Sequence, residues 1–67
     1  MISISRLEVH GVREMGETAE LVTDDQAHFF TIYGYVEGEV NSFYVAVGDF
    51  PSRPQAELVK ELLDENL

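Results

Sequence analysis

The chain has 67 residues, 45% of them hydrophobic, which is enough for one folded domain but not for two. Its 13 acidic and 4 basic residues give a net charge of −9, which excludes the basic face that nucleic acids and anionic membranes require. The absence of cysteine excludes disulfides and thiolate metal sites, and no apolar run approaches the ~20 residues of a membrane span. We therefore expect a cytoplasmic domain whose small core is reinforced by dimerisation.

The first predicted strand spans roughly residues 4–12. Its alternation contains a fault, because Ile2 and Ile4 share one parity whereas Leu7 begins the other. One extra residue near Ser5-Arg6, a β-bulge, would reconcile the two halves. Alternatively, the two isoleucines lie outside the regular strand.

A turn centred on Gly16 leads into the second and weakest strand, about residues 18–23. Glu20 within this strand indicates a solvated or edge position. The polar residues 24–27 end the strand, and Asp24 is a candidate cap for a single helical turn.

Residues 28–37 and 43–47 show the period-two alternation of half-buried strands. The two strands together carry two sets of apolar side chains on opposite faces. The set expected to face a helix is Phe30, Ile32, Val36, Phe43, Val45 and Val47, and the opposite set is Phe29, Tyr33, Tyr35 and Tyr44.

The hairpin between these two strands has two registers that keep the apolar faces together. In the first, Ile32 opposes Val45 across a four-residue loop that includes Val40. In the second, Glu37-Gly38 is a two-residue turn and Ile32 opposes Phe43. We prefer the first, because it places an aromatic side chain over the glycine in the third strand.

The last element is a helix that follows Ser52. This serine is the predicted N-cap, and Gln55 completes a capping box. Because the residue before a proline is biased away from helical angles, the helix alternatively begins at Pro54. The predicted packed side consists of Ala56, Val59, Leu62, Leu63 and Leu67, with Leu58 at its edge.

These elements predict a single α+β domain over residues 1–67. Its antiparallel sheet has three to four strands in the order ββββα, with one C-terminal helix packed on one face. A meander is the default strand order, although the first strand alternatively pairs elsewhere.

The helix covers only one face of the predicted sheet. The uncovered face carries the candidate interface residues Phe29, Tyr33, Tyr35 and Tyr44. Exposed aromatic patches mark interfaces, which predicts a homodimer seam or, second, a docking surface for a foreign partner. Alternatively, the tyrosines only protect the sheet and keep their hydroxyls in water.

Candidate catalytic and metal-binding residues are few. Asp24, Asp25 and His28 supply fewer ligands than zinc or a hard cation requires, so they are interpreted as a polar turn. His10 and His28 are interpreted as strand-surface residues. No serine or threonine has an activating context, no glycine-rich phosphate loop is present, and a small open sheet offers little concavity for a substrate. We therefore expect no catalytic residue, no metal and no cofactor.

The acidic residues are unevenly distributed along the chain. Residues 14–52 contain eight acidic side chains and no lysine or arginine. This stretch would attract a basic protein surface and repel nucleic acid. Alternatively, the charge only keeps a small domain soluble, or reflects a salt-adapted host.

Residues 43–50, Phe-Tyr-Val-Ala-Val-Gly-Asp-Phe, followed by Ser52-Arg53 and Ala56, resemble one half of a sporulation-related repeat (SPOR) domain, a peptidoglycan-binding module. In that family a strand ends in Val-Gly-x-Phe before an Ala-rich helix. The likeness covers about a third of the chain, and the family needs two such halves where this chain has one. The resemblance therefore implies the strand–helix unit and not the binding of peptidoglycan.

A second, broader resemblance covers roughly residues 28–64. Phe-Thr-Ile-Tyr-Gly at residues 30–34, a short hairpin, Val-Gly-Asp-Phe at residues 47–50 and a closing helix are similar to small uncharacterised proteins of bacterial plasmids and phages. This resemblance implies a genetic context rather than a chemistry. We expect a non-enzymatic protein-binding domain that modulates a host factor for a mobile element, with mimicry of nucleic acid as the sharper hypothesis. The alternative is an obligate homodimeric accessory protein without a separate ligand.

Overall fold

A computed structural model describes residues 3–66 as four antiparallel strands followed by one helix, which confirms the predicted α+β class. The elements are β1 (Ser3–Met15), β2 (Thr18–Val22), a short 3-10 turn (Asp24–Gln26), β3 (Phe29–Glu37), β4 (Ser42–Phe50) and the helix α1 (Arg53–Asp64). The predictions made for Ile2 and Leu67 lie outside the described residues. Among residues 3–66, no helix has both the length and the apolar character needed to cross a membrane.

The strands lie in the order β2-β1-β3-β4, so the default prediction of a meander is wrong. β1 is long enough to serve two neighbours: residues 3–12 pair with β3 and residues 11–15 pair with β2. The connection from β2 to β3 crosses β1 at Ala27. A Cβ on Gly11 would lie 2.9 Å from the Ala27 Cβ and 3.0 Å from the Val22 carbonyl oxygen, so a glycine is needed where the chain crosses.

The predicted bulge in β1 is confirmed. The pairing of β1 with β3 shifts between Ile4 and Arg6, at Ser5. Ile4 and Leu7 consequently face the same side of the sheet although their parities differ. The polar side chains that alternate with them on the opposite face are those of Arg6, Glu8 and His10.

The hairpin of β3 and β4 has a loop of the predicted four residues with Val40 in it, but the loop spans residues 38–41, one residue later than predicted, and neither predicted register is correct. Ile32 opposes Gly48, and a bulge at Val47 shifts the pairing further. Alternation determines which face a side chain occupies, but a slip of two residues leaves every face unchanged. The preferred register is wrong by such a slip next to the loop.

The core lies between α1 and one face of the sheet, where the helix packs mainly against β1 and β3. Its buried side chains are Leu7, Phe30, Ile32 and Ala56, and the partly buried ones around them are Ile4, Val9, Ala27, Phe50, Val59 and Leu63.

Three side chains predicted to pack in this core are exposed instead. Phe43 and Val47 are 44% and 43% exposed, because β4 is an edge strand and Val47 lies in its bulge. Leu62 is 54% exposed, since α1 contacts the core through Ala56 and Leu63.

Ser52 caps α1 as predicted. Its hydroxyl accepts from the Gln55 backbone N–H at 3.4 Å and donates to the Gln55 side-chain oxygen at 2.9 Å. The helix therefore begins at Arg53, and Pro54 occupies the first turn, where no backbone N–H is needed.

The turn at Gly16 is confirmed, with a φ of 66°, and β2 lies at the sheet edge with Glu20 exposed, as predicted. A single helical turn follows β2, but its N-cap is Thr23 rather than Asp24. The Asp24 carboxylate instead accepts two hydrogen bonds from Arg53, at 2.6 and 2.9 Å. This ion pair ties the start of α1 to the connection that crosses β1.

Candidate functional site

The sheet face that α1 does not cover carries all four candidate interface residues, and we call it the tyrosine face. Its central side chains are those of Arg6, Glu8, His10, Tyr33, Tyr35 and Tyr44, with Phe29 towards one end. Register places Tyr35 opposite Tyr44, and Phe29 opposite Val12 of β1. The predicted set therefore shares one face, and Phe29 lies apart from the tyrosine pair.

Tyr35 and Tyr44 form an edge-to-face pair, with ring centroids 5.1 Å apart and planes at 60°. The Arg6 guanidinium lies 4.1 Å from the centroid of the Tyr35 ring, at cation–π distance. Arg6 also donates a hydrogen bond from Nη2 to the Tyr44 hydroxyl at 3.1 Å. One arginine on β1 thus contacts aromatic side chains of both β3 and β4.

Glu8 is the centre of the polar contacts on this face. Its Oε2 accepts from the Arg6 Nε at 2.8 Å and from the Tyr44 hydroxyl at 3.3 Å, while its Oε1 lies 2.9 Å from the His10 Nε2. The Arg6 guanidinium, followed by His10, holds the pKa of the Glu8 carboxyl below its usual range. This carboxylate is therefore ionised at neutral pH and suits orienting its neighbours rather than transferring protons.

A concavity of about 390 Å³ lies on the tyrosine face beside Tyr33. His10 flanks it, with its ring centroid 5.7 Å from that of Tyr33. The residues that line the concavity are Glu8, His10, Val12, Ala19, Glu20, Leu21, Tyr33 and Tyr44. Its size contradicts our expectation that the open sheet offers little concavity, because β2 extends the face beyond β1 and adds a wall.

Every lysine and arginine of the chain is engaged in an ion pair. The pairs are Arg6–Glu8, Arg13–Glu20, Arg53–Asp24 and Lys60–Asp64. Four of the 13 acidic residues are thereby neutralised, and nine have no lysine or arginine partner within residues 3–66. These nine carboxylates carry the surface charge.

The acidic turn after β2 has structural contacts. Arg53 lowers the pKa of Asp24 through their hydrogen bonds, and Asp25 accepts from the Thr23 hydroxyl at 2.6 Å. The His28 Nδ1 accepts the backbone N–H of Glu14 at 3.3 Å. No group of three or more potential metal ligands is found in residues 3–66. The structure thus places these side chains in separate contacts.

Sequence reasoning missed the β1 residues that organise the tyrosine face. Arg6, Glu8 and His10 follow the bulge at alternate positions, which was the available signal, but their significance depends on β1 lying beside β3. A second missed feature is Thr31, which is buried on this face and donates to Asp49 at 2.7 Å.

Searches against protein-family models, curated proteins and solved structures find no match to this chain. The resemblances to half a SPOR domain and to plasmid and phage proteins therefore stay predictions. The tyrosine face is the part of the described chain where aromatic and polar side chains are most closely interconnected.

Proposed function

We propose that this chain is a non-enzymatic, cytoplasmic protein-binding domain that docks a positively charged protein surface on its tyrosine face. The observation that carries the proposal is the cluster of Arg6, Tyr35 and Tyr44 on the uncovered side of the sheet.

The aromatic side chains supply the contact area. Tyrosine is favoured in interfaces because its ring buries apolar surface while its hydroxyl still finds a hydrogen-bond partner. Tyr35 is half-buried and Tyr44 is exposed, so both have surface left to bury. Arg6 and Glu8 already hold both rings in place. The two tyrosine side chains therefore lose little conformational entropy when a partner binds.

The charges select the kind of partner. Glu14 and Asp49 lie on the same face as the tyrosines and have no lysine or arginine partner. With all the lysines and arginines engaged, the domain presents surplus negative charge, which speeds association with a basic surface and disfavours an acidic one.

In the sharper form of the proposal, the domain occupies a basic groove that otherwise binds nucleic acid. It would thereby modulate a host factor on behalf of a plasmid or phage. The support is the charge distribution: eight carboxylates and no lysine or arginine in residues 14–52.

The test compares three tagged proteins in an extract of the source organism: the natural chain, a Tyr33→Ser/Tyr35→Ser variant, and a Leu58→Ser/Leu62→Ser control. The control removes exposed apolar side chains from the helix, away from the tyrosine face. We expect a basic protein to be retained by the natural chain and the control, and lost by the tyrosine variant. Binding of the purified pair should weaken about tenfold or more between roughly 50 and 500 mM salt.

Displacement of labelled DNA from that partner tests the sharper form directly. Salt-insensitive binding, or equal retention by the tyrosine variant, would contradict the proposal. If the tyrosine variant instead dissociates from dimer to monomer and loses stability, the face is a seam between two copies, which is the homodimeric alternative.

A further inference from the structure

The two edges of the sheet differ in how they are protected against pairing with another strand. The edge strand β2 has five residues with Glu20 at its centre, and Glu17 and Asp24 flank it closely. The edge strand β4 has nine residues, and no charged residue occurs from Asn41 to Gly48. Short length and charge are the usual devices that prevent edge-to-edge pairing, so β2 is protected and most of β4 is not.

The open edge at β4 also exposes apolar surface on both sides of the sheet. Phe43 is 44% exposed on the helix side, and Tyr44 is 49% exposed on the tyrosine face. The bulge at Val47 interrupts the strand, which leaves residues 42–46 as a regular five-residue stretch. Alternate N–H and C=O groups of such a stretch point away from the sheet and have no partner strand.

We propose that two copies of this chain pair antiparallel through residues 42–46 of β4, about a twofold axis near Tyr44. The eight strands would then form one continuous sheet. An antiparallel pair of identical strands is self-complementary, so a twofold dimer needs no second kind of surface.

Charge favours this position for a seam between two copies. Each copy carries a net charge of −9, so two copies can approach closely only where no carboxylate lies in the seam, and residues 41–48 meet that condition. Stacking two tyrosine faces would instead bring Glu14 and Asp49 of each copy towards those of the other.

The dimer places Tyr44 of one copy beside Tyr44 of the other. The two tyrosine faces would then adjoin across the seam and form one larger surface. The use of this larger surface for docking rests on the proposed function. The pairing itself does not, because it would occur without any other partner.

The test is the solution mass, by sedimentation or light scattering, from about 10 µM to 1 mM. A five-residue edge is a small interface, so we expect micromolar dissociation, with the mass rising with concentration towards twice the 7.6 kDa of one chain. A Phe43→Lys/Ala46→Lys variant should dissociate at least about tenfold more readily. The matched control on the other edge, Ala19→Lys/Leu21→Lys, changes charge equally at exposed positions and should dimerise like the natural chain.

Amide hydrogen exchange on the natural chain gives a second readout that needs no variant. Amides of β4 should exchange more slowly at high than at low concentration, whereas those of β2 should not change. The proposal would be overturned by a mass of 7.6 kDa at all concentrations or by loss of the dimer in the β2 control. It would also be overturned by β4 amide exchange rates that are independent of protein concentration.

Two further results separate this inference from the proposed function. The Tyr33→Ser/Tyr35→Ser variant should remain dimeric, and Phe43→Lys alone, which changes only the helix side of β4, should weaken the dimer but still bind the basic partner. A tyrosine variant that is monomeric would overturn the edge-paired dimer and assign the seam to the tyrosine face. Failure of the natural chain to retain a basic partner, with an intact dimer, would count against the proposed function alone.

Discussion

The two faces of the sheet are held together by different physical interactions. On the helix side, the side chains of Leu7, Phe30 and Ile32 are buried against Ala56, and the stabilising term is the removal of apolar surface from water. On the tyrosine face, neighbouring side chains hydrogen-bond and stack on one another while remaining partly exposed. Because successive side chains of β3 point to opposite sides of the sheet, this one strand contributes residues to both faces.

This difference separates stability from the proposed recognition of a partner. Exposed ion pairs such as Arg6–Glu8 contribute little free energy of folding, because water and salt screen them. They do fix the orientation of the aromatic rings, which a binding surface requires. Substitutions should therefore reduce stability strongly on the helix side, and should mainly alter geometry and binding on the tyrosine face.

The largest expected effect is from Ile32→Ala. Ile32 is fully buried on the helix side, so the substitution should lower the free energy of unfolding by about 2–4 kcal/mol, most of what a core this small supplies. The control is Leu58→Ala, which removes an apolar side chain that is 59% exposed and should cost less than about 0.5 kcal/mol. Urea denaturation measures both, and similar costs for the two would contradict the comparison.

A smaller effect is expected from Thr31→Val on the tyrosine face. The buried Thr31 hydroxyl donates to the exposed Asp49 carboxylate at 2.7 Å, so its loss should cost about 1 kcal/mol. In an Asp49→Ala background, the same change should cost clearly less, since the acceptor is absent. An equal cost in both backgrounds would show that the hydroxyl contributes through packing instead.

The smallest effect concerns the pKa of Glu8, which Arg6 lowers through hydrogen bonding. A lowered pKa in the folded state gives stability that is present above the ordinary value of 4.5 and is lost as the pH falls through the folded value. Arg6→Gln should therefore raise the pKa of Glu8 towards 4.5. NMR titration of the Glu8 carboxyl measures this, with Arg13→Gln as the control that leaves it unchanged. No rise in Arg6→Gln would mean that Arg6 does not hold Glu8.

Features that depend on a few neighbouring residues were predictable from the sequence. The bulge at Ser5, the turn at Gly16 and the cap at Ser52 are all where local patterns predicted them, and the four-residue loop lies one residue further along the chain. Each is decided by backbone angles or by alternation within a short window, so the surrounding fold changes them little. The aromatic side of the sheet was predictable for the same reason.

Which elements meet depends on contacts between distant parts of the chain. Strand order depends on β1 pairing with both β2 and β3, which no local pattern encodes, and a two-residue slip of the hairpin keeps every face. Arg6 and Glu8 therefore could not be assigned to Tyr44, a residue on another strand, from the sequence alone. The exposure of Phe43 was likewise decided by the place of β4 at the sheet edge, because burial depends on what lies next to a strand and not only on its own alternation.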